Sequence, residues 1–239
     1  YDPIEPSVED QLQAPSFRHL MGTDQYGRDV LGRVIFGARI SLFIGLVAVT
    51  ISTAIGVTVG TLSGYFGGKL DMFFSRIVDI LYAFPNLLLL LALVSIVGPS
   101  LTTLTGALAF TGWPRFSRIV RSTVLSAKEN DYVLASFAIG AKTPRILLRH
   151  IIPNVFAPIL IVYTGSLGGI IIAESGLSFL GLGVAPPTPT WGGMLSSEGR
   201  FYMTLAPWIG IWPGLAITLA VLAFNLFGDA VRDVLDPRL

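Results

Sequence analysis

Long stretches without a charged residue constrain this chain more than any other feature of its sequence. No Asp, Glu, Lys or Arg occurs in residues 40–68, 80–114, 151–173 or 208–228. A helix of about 20 mostly apolar residues crosses the hydrocarbon core of a bilayer. Charged residues make up 13% of the chain, whereas a soluble domain carries about 25%. We therefore predict an integral membrane protein.

The uncharged stretches predict an all-α fold with five transmembrane helices. Residues 80–114 are too long for one span of ordinary tilt, and Gly98-Pro99 divides them, because proline interrupts a helix. No period-two alternation appears, and an open sheet could not satisfy its edges in lipid. The predicted helices cover residues 40–64, 72–98, 101–125, 151–173 and 208–228.

The distribution of Lys and Arg predicts the orientation of the spans, because cytoplasmic loops carry the excess. Eleven of the 16 Lys and Arg residues lie on the side that holds residues 126–150 and the C-terminus, which we therefore predict to be cytoplasmic. Arg115, Arg118 and Arg121 are interpreted as anchors that snorkel to this interface. Residues 1–39 and 174–207 are predicted to be extracytoplasmic segments flanking or interrupting a transmembrane domain of residues 40–239. The chain begins at Tyr1, and we expect a sixth helix upstream.

The composition argues against several kinds of site. The chain has no cysteine, which excludes thiolate metal sites and cysteine nucleophiles, and its two histidines, His19 and His150, lie in separate segments. No basic block indicates nucleic acid as a partner. No glycine-rich loop ends in Gly-Lys-Ser/Thr. We therefore predict no catalytic residue, no metal ligand and no bound cofactor in this chain.

A glycine stripe marks the first predicted span. Gly56, Gly60 and Gly64 recur every fourth residue and so share one helix face. Small residues at this spacing let a second helix approach closely in a membrane. The sequence does not say whether that helix belongs to this chain or to another subunit.

Two carboxylates lie within or beside predicted spans. Ionisable residues in a membrane are costly and usually face protein or a water path, so Asp79 and Glu174 are candidate residues of a translocation pathway. For Asp79, an ion pair with Arg76 is an equal alternative.

Residues 126–150 form a charged loop between apolar spans, and we predict that they carry a short helix over 131–139. Asp131 would complement the dipole at its N-terminus, Gly140 would turn the chain, and Thr143-Pro144 would start the next helix. An apolar helix face outside the bilayer is expected to insert into a groove of a soluble partner. The apolar residues of this helix are Tyr132, Val133, Leu134, Phe137 and Ile139.

The same loop resembles the coupling-helix signature of ABC-importer permeases. That signature reads Glu-Ala-Ala, three residues, Gly, nine residues, then an apolar pair ending in Leu-Pro. Leu134-Ala135-Ser136 occupies the Glu-Ala-Ala place, Gly140 is the glycine, and Ile152-Pro153 ends the pattern. Leu134 departs from the general signature, so we expect docking to depend on apolar contacts of Leu134 and Phe137 rather than on a carboxylate.

Further segments are similar to the dipeptide, oligopeptide and nickel branch of these permeases, in order along nearly the whole chain. They are Gly22–Asp29, Gly37–Leu42, Gly64–Gly68, Leu177–Gly183, Pro186–Pro189, Ala223–Asp229 and Asp236-Pro237. The resemblance implies the type I ABC-importer permease architecture and the C-type permease subunit of a peptide importer in a bacterial or archaeal cell membrane.

The resemblance also implies partners and functional residues. The expected partners are a homologous permease subunit in a heterodimer, two cytoplasmic ATPase subunits, an extracytoplasmic substrate-binding protein and membrane lipid. ATP and Mg would be bound by the ATPase subunits, so this chain would not be an enzyme. The residues implied to couple to the ATPase are Tyr132, Val133, Leu134, Ala135, Ser136, Phe137, Gly140, His150, Pro153 and Asn154.

The expected function is therefore to form part of the translocation pathway for di- or oligopeptides. Import of nickel or a metal chelate is an alternative within the same family. A stand-alone secondary transporter that uses Asp79 and Glu174 is an alternative outside it.

Overall fold

The computed structural model describes residues 1–235, apart from the side chains of residues 197–199. Across these residues the chain is helical, with no β-strand. The helices are α1 (Val30–Phe66), α2 (Gly68–Ala83), α3 (Asn86–Val97), α4 (Leu101–Lys128), α5 (Asp131–Ala138), α6 (Thr143–Ile146), α7 (Ile152–Phe179), α8 (Trp191–Met194), α9 (Ser197–Tyr202) and α10 (Trp208–Leu235). A π-helical turn, Leu147–Ile151, joins α6 to α7. Asp236-Pro237 and Arg238, used above for the family pattern and the orientation, lie outside the described residues.

Three helical stretches of the described chain are long and apolar enough to cross a membrane. They are Val30–Phe66, Thr143–Phe179 and Trp208–Leu235, and α2 with α3 would make a fourth if the bent pair is one span. α4 is 28 residues long but does not reach the same apolarity, since it carries Arg115, Arg118 and Arg121 along one side.

The prediction of one helix over residues 72–98 is wrong. α2 and α3 meet at an angle of 89°. Phe84 between them is extended, with φ −97° and ψ 136°. The ring of Pro85 disfavours helical geometry at the preceding residue, which explains the break.

The first helix also begins well before the predicted boundary at Ile40. Asp29 caps α1, and its Oδ2 accepts a hydrogen bond from the Gly32 backbone N–H at 2.8 Å. Such a cap satisfies an amide that has no partner within the helix. The uncharged stretch therefore marks the apolar part of α1 rather than the helix itself.

The long helices pack into a bundle with α1 at its centre. α1 and α4 lie parallel, α7 runs antiparallel to α1, and α10 runs antiparallel to α7. The register of α1 and α7 is marked by Thr50 and Tyr163, whose hydroxyl oxygens are 3.0 Å apart. The register of α7 and α10 is marked by Gly168 of α7, which lies against Val221 of α10. Apolar clusters fill the bundle along its length, and one of them unites Val120 and Val124 with Val133 and Ile146.

Residues 1–29, which we call the cap, fold over one end of the bundle. Asp24 Oδ2 lies 2.7 Å from Arg28 Nε and 3.4 Å from Arg33 Nε. His19 Nδ1 lies 2.9 Å from Asp29 Oδ1. Because buried charges are tolerated when they are paired, this network lets Asp24, Arg28 and Asp29 of the cap be buried beside Arg33 of α1. The opposite end of the bundle carries α5.

Candidate functional site

The short helix predicted at residues 131–139 is present as α5. Its end is fixed by Gly140, which has φ +83°. The Ala141 N–H donates to Ser136 O at 3.1 Å, and the Gly140 N–H donates to Phe137 O at 3.0 Å. These two bonds form a Schellman motif, which needs a residue in the left-handed region. A Cβ at Gly140 would meet no atom within 4 Å, so backbone conformation rather than space requires glycine here.

α5 presents apolar side chains to the outside of the bundle. Phe137 is 72% exposed, and Leu134 and Ile139 are also exposed; we call these three residues the docking face. Leu134 and Phe137 border a groove of about 640 Å³ whose wall includes Tyr65 and Ile146. Large apolar side chains beside an open groove are typical of a surface that binds a partner.

Val133 does not belong to the docking face, which corrects the prediction that it is exposed. It is 4% exposed and packs among Val120, Val124 and Ile151. Its side chain lies at the base of the groove that Leu134 and Phe137 border, where it contacts the bundle. Val133 therefore holds α5 on the bundle, and its role is support.

The remaining predicted coupling residues fall into two groups. Ser136 Oγ lies 3.2 Å from His150 Nε2, and the Tyr132 ring centroid lies 6.1 Å from that of His150. These contacts join α5 to the π-helical turn. Asn154 Nδ2 donates to His150 O at 2.6 Å. Ala135, Pro153 and Asn154 are exposed, so they can contact a partner directly.

The glycine stripe packs against α4, so its partner lies within this chain. A Cβ at Gly60 would lie 2.6 Å from Ser117 O and 2.7 Å from Val120 Cβ. A Cβ at Gly64 would lie 2.9 Å from Arg121 O. Only glycine allows the two backbones to approach this closely, as the four-residue spacing predicted.

Asp79 pairs with Arg118 rather than with Arg76. Arg118 Nη2 lies 2.7 Å from Asp79 Oδ1, and the guanidinium lies over the Tyr82 ring at 4.3 Å. Arg121 is paired in the same manner, since its Nε and Nη2 lie 2.6 Å and 2.7 Å from the two oxygens of Asp71. Arg118 and Arg121 therefore join α4 to α2, and their interpretation as anchors that snorkel to the cytoplasmic interface stays a prediction.

Glu174 is fully buried, with 0% exposure. Its Oε1 accepts a hydrogen bond from Ser178 Oγ at 2.8 Å, and Ser175 Oγ lies 3.4 Å from Oε2. A carboxylate enclosed by hydroxyl groups does not face an open path in this structure, so the pathway assignment of Glu174 is not supported by its position.

A cavity at the α2–α3 bend was missed from the sequence. Its volume is about 560 Å³, and α4 and α7 complete its wall. Polar groups in the wall come from Asn86, Thr111, Arg115 and Ser166. Phe84-Pro85-Asn86 was the available signal, because a proline followed by a polar residue inside an apolar stretch indicates a broken helix.

Comparison with known proteins identifies relatives along almost the whole chain. Residues 56–239 match the family described as the binding-protein-dependent transport system inner membrane component. The dipeptide transport system permease protein DppC of Alkalihalophilus pseudofirmus is 45% identical over 98% of this chain and 77% of its own length. The glutathione transport system permease protein GsiD of Escherichia coli is 46% identical over 94% of this chain and 74% of its own length.

Two solved structures share the fold. An inward-facing structure of the MetNI methionine ABC transporter superposes with a TM-score of 0.69 at 20% identity, covering 86% of this chain and 97% of that chain. An amino acid ABC transporter crystallised with histidines gives a TM-score of 0.62 at 17% identity, covering 87% of this chain and 95% of that chain.

Proposed function

Because this chain belongs to the family of binding-protein-dependent transport system inner membrane components, we propose that it is the permease subunit of an ATP-driven importer of short peptides. Relatives named as dipeptide and glutathione permeases support a peptide cargo. In this proposal the chain crosses the membrane five times, through α1, the bent α2–α3 pair, α4, the Thr143–Phe179 stretch and α10. The cap lies outside the cell and α5 lies in the cytoplasm.

The docking face of α5 is the single observation that carries the proposal. α5 is held by Val133 on the bundle side, while Leu134 and Phe137 project away beside an apolar groove. A short helix that is anchored to its own bundle and presents exposed apolar side chains is suited to seat in a groove of a partner. We assign that partner as the cytoplasmic ATPase subunit, which hydrolyses ATP on behalf of the complex.

The rigid attachment of α5 gives the proposed coupling its physical basis. The contacts of α5 run through His150 and the π-helical turn to α7, and through Val133 to α4. A displacement of α5 by the ATPase would therefore move two long helices together. ATP binding could then bias the two conformations of the permease, because it favours the one to which the closed ATPase binds better. A homologous permease subunit and an extracytoplasmic binding protein would complete the importer.

Reconstitution tests this function directly. The chain is co-expressed with the permease, ATPase and binding-protein subunits of its own transport system, and the purified complex is placed in proteoliposomes. We expect uptake of a labelled dipeptide that requires both ATP and the loaded binding protein. Uptake of a nickel chelate but no peptide would replace the assigned cargo. Uptake by this chain without ATPase subunits would refute the importer assignment.

A further inference from the structure

Arg115 lies deep in the membrane according to the register of α1 and α4. The uncharged stretch of residues 40–68, which is mostly α1, has its midpoint near Ala54, so the centre of the bilayer lies close to this residue. A Cβ at Gly56 would collide with Phe116 Cβ. Phe116 and its neighbour Arg115 are therefore within about one helical turn of the bilayer centre. Arg115 is also at the middle of α4, which spans Leu101–Lys128.

An arginine at this depth is costly unless it faces protein, a partner or water. The two arginines that follow it on α4 have acidic partners, Asp79 for Arg118 and Asp71 for Arg121. Arg115 forms no ion pair or hydrogen bond with any other residue between 1 and 235. Its side chain is exposed and borders the cavity at the α2–α3 bend. This chain therefore places an uncompensated cation at a polar opening in the middle of the membrane.

The rest of the cavity wall suits a small zwitterionic molecule. Its volume of about 560 Å³ falls within the range of small-molecule pockets. Asn86, Thr111 and Ser166 supply neutral hydrogen-bonding groups, and Phe84 and Leu89 supply apolar surface. Mixed polar and apolar walls accommodate varied side chains, whereas a guanidinium recognises a carboxylate by paired hydrogen bonds.

We propose that the cavity at the α2–α3 bend is a passage site for the peptide cargo, and that Arg115 receives the free carboxylate of the peptide as it crosses the membrane. This inference rests on the proposed function of peptide import. Arg115 lowers the cost of carrying a charged carboxylate through the bilayer centre, because it supplies the opposite charge where water is scarce. The peptide carboxylate pairs with Arg115 only while the peptide crosses the membrane, so the peptide need not bind tightly at this cavity.

The test compares a dipeptide with its C-terminal amide in proteoliposomes that contain the whole complex. Both cargoes are supplied on saturating binding protein, so that the maximal import rate reports passage rather than capture. We expect the free acid to be imported about tenfold faster than the amide by the wild type, given the usual strength of a charge-assisted hydrogen bond. Arg115→Gln should reduce the free-acid rate to that of the amide, and Arg115→Lys should recover part of it.

A matched control separates this effect from general loss of charge. Arg39 is an exposed arginine of α1 outside the cavity wall, so Arg39→Gln should leave both rates unchanged. A free-acid rate in Arg115→Gln equal to the wild-type rate would overturn the proposal, as would equal rates for acid and amide in the wild type. If the wild-type complex imports neither cargo, the peptide-import function itself has failed.

Accessibility gives an independent readout that does not require transport. Because this sequence contains no cysteine, the introduced thiol of Arg115→Cys is the labelling site on this subunit for a charged thiosulfonate that does not cross membranes. We expect labelling that slows when the loaded binding protein and ATP drive cargo through the complex. Val120→Cys, whose parent side chain is 1% exposed, should stay unlabelled. Failure to label Arg115→Cys in any nucleotide state would show that no water path reaches this residue.

Discussion

The close packing of α1 on α4 predicts that a single methyl group at Gly60 destabilises the permease. In Gly60→Ala, the added Cβ would lie 2.6 Å from Ser117 O, which belongs to the backbone of α4. A backbone oxygen cannot rotate aside as a side chain can, so the two helices must separate. Overpacking of this kind costs about 1–3 kcal/mol, and the better helix propensity of alanine returns up to about 1 kcal/mol.

Because backbone rather than a mobile side chain must move, the overpacking cost lies in the upper half of this range, about 2–3 kcal/mol, and the expected net loss is about 1–2 kcal/mol. A loss of this size lowers the melting temperature of the purified complex by about 2–8 °C for a chain of this length. Size-exclusion chromatography after heating measures this shift. The control is Gly106→Ala in α4, where the added Cβ would meet no atom within 4 Å. That variant should melt at or above the wild-type temperature. A Gly60→Ala complex as stable as the wild type would contradict this prediction, as would an equal loss of stability in both variants.

Three further predictions concern the α5 end of the bundle. Gly140→Val should uncouple ATP hydrolysis from import, because the backbone conformation at φ +83° costs a β-branched residue at least about 1–2 kcal/mol. Gly140→Asn should remain coupled. An equal amount of peptide imported per ATP hydrolysed in the two variants would contradict this. Phe137→Ser should weaken binding of the ATPase subunit in a pull-down titration without lowering the melting temperature. Val133→Ala should lower the melting temperature without weakening that binding. The same effect from both variants would contradict the assignment of Phe137 to docking and Val133 to support. Asp71→Asn should lower the stability of the complex by about 1–3 kcal/mol in thermal melts, because Arg121 loses a paired acceptor; an unchanged melting temperature would show that the pair contributes nothing.

Local patterns in the sequence predicted the parts of this molecule that depend on neighbouring residues. The uncharged stretches located the apolar parts of α1, α7 and α10, and Gly140 located the end of α5. The glycine spacing predicted a close helix contact. Each of these features depends on residues within a few turns of one another, which is the range over which hydrophobic periodicity and turn residues act.

Proline shows where such local patterns fail. Pro85 separates α2 from α3 by a bend of 89°, while Pro114, Pro158 and Pro213 lie inside continuous helices. The same residue type therefore gives two outcomes. Neighbouring helices can satisfy the groups that a proline releases, so packing rather than sequence decides whether a membrane helix breaks.

The charged residues show a second limit. Arg118 and Asp79 are 39 residues apart, and Arg121 and Asp71 are 50 residues apart. Sequence proximity instead suggested Arg76 as the partner of Asp79. The contact of Gly56 with Phe116 likewise relates the depth of Arg115 to the uncharged stretch of α1. Long-range pairing needs the packed bundle, so these features of the candidate site could not be read from the sequence.

Crosslinking from α5 tests whether this helix docks on the ATPase subunit. The absence of cysteine from the chain allows a benzophenone maleimide to be attached at Ala135→Cys, on the exposed side of α5, within the full complex. Val8→Cys in the cap is the control, because Val8 is 82% exposed at the opposite end of the bundle. We expect light to crosslink Ala135→Cys to the ATPase subunit and to leave the ATPase uncrosslinked in the Val8→Cys complex. No ATPase crosslink from Ala135→Cys in the nucleotide-free, ATP-bound and ADP-bound complex would contradict it.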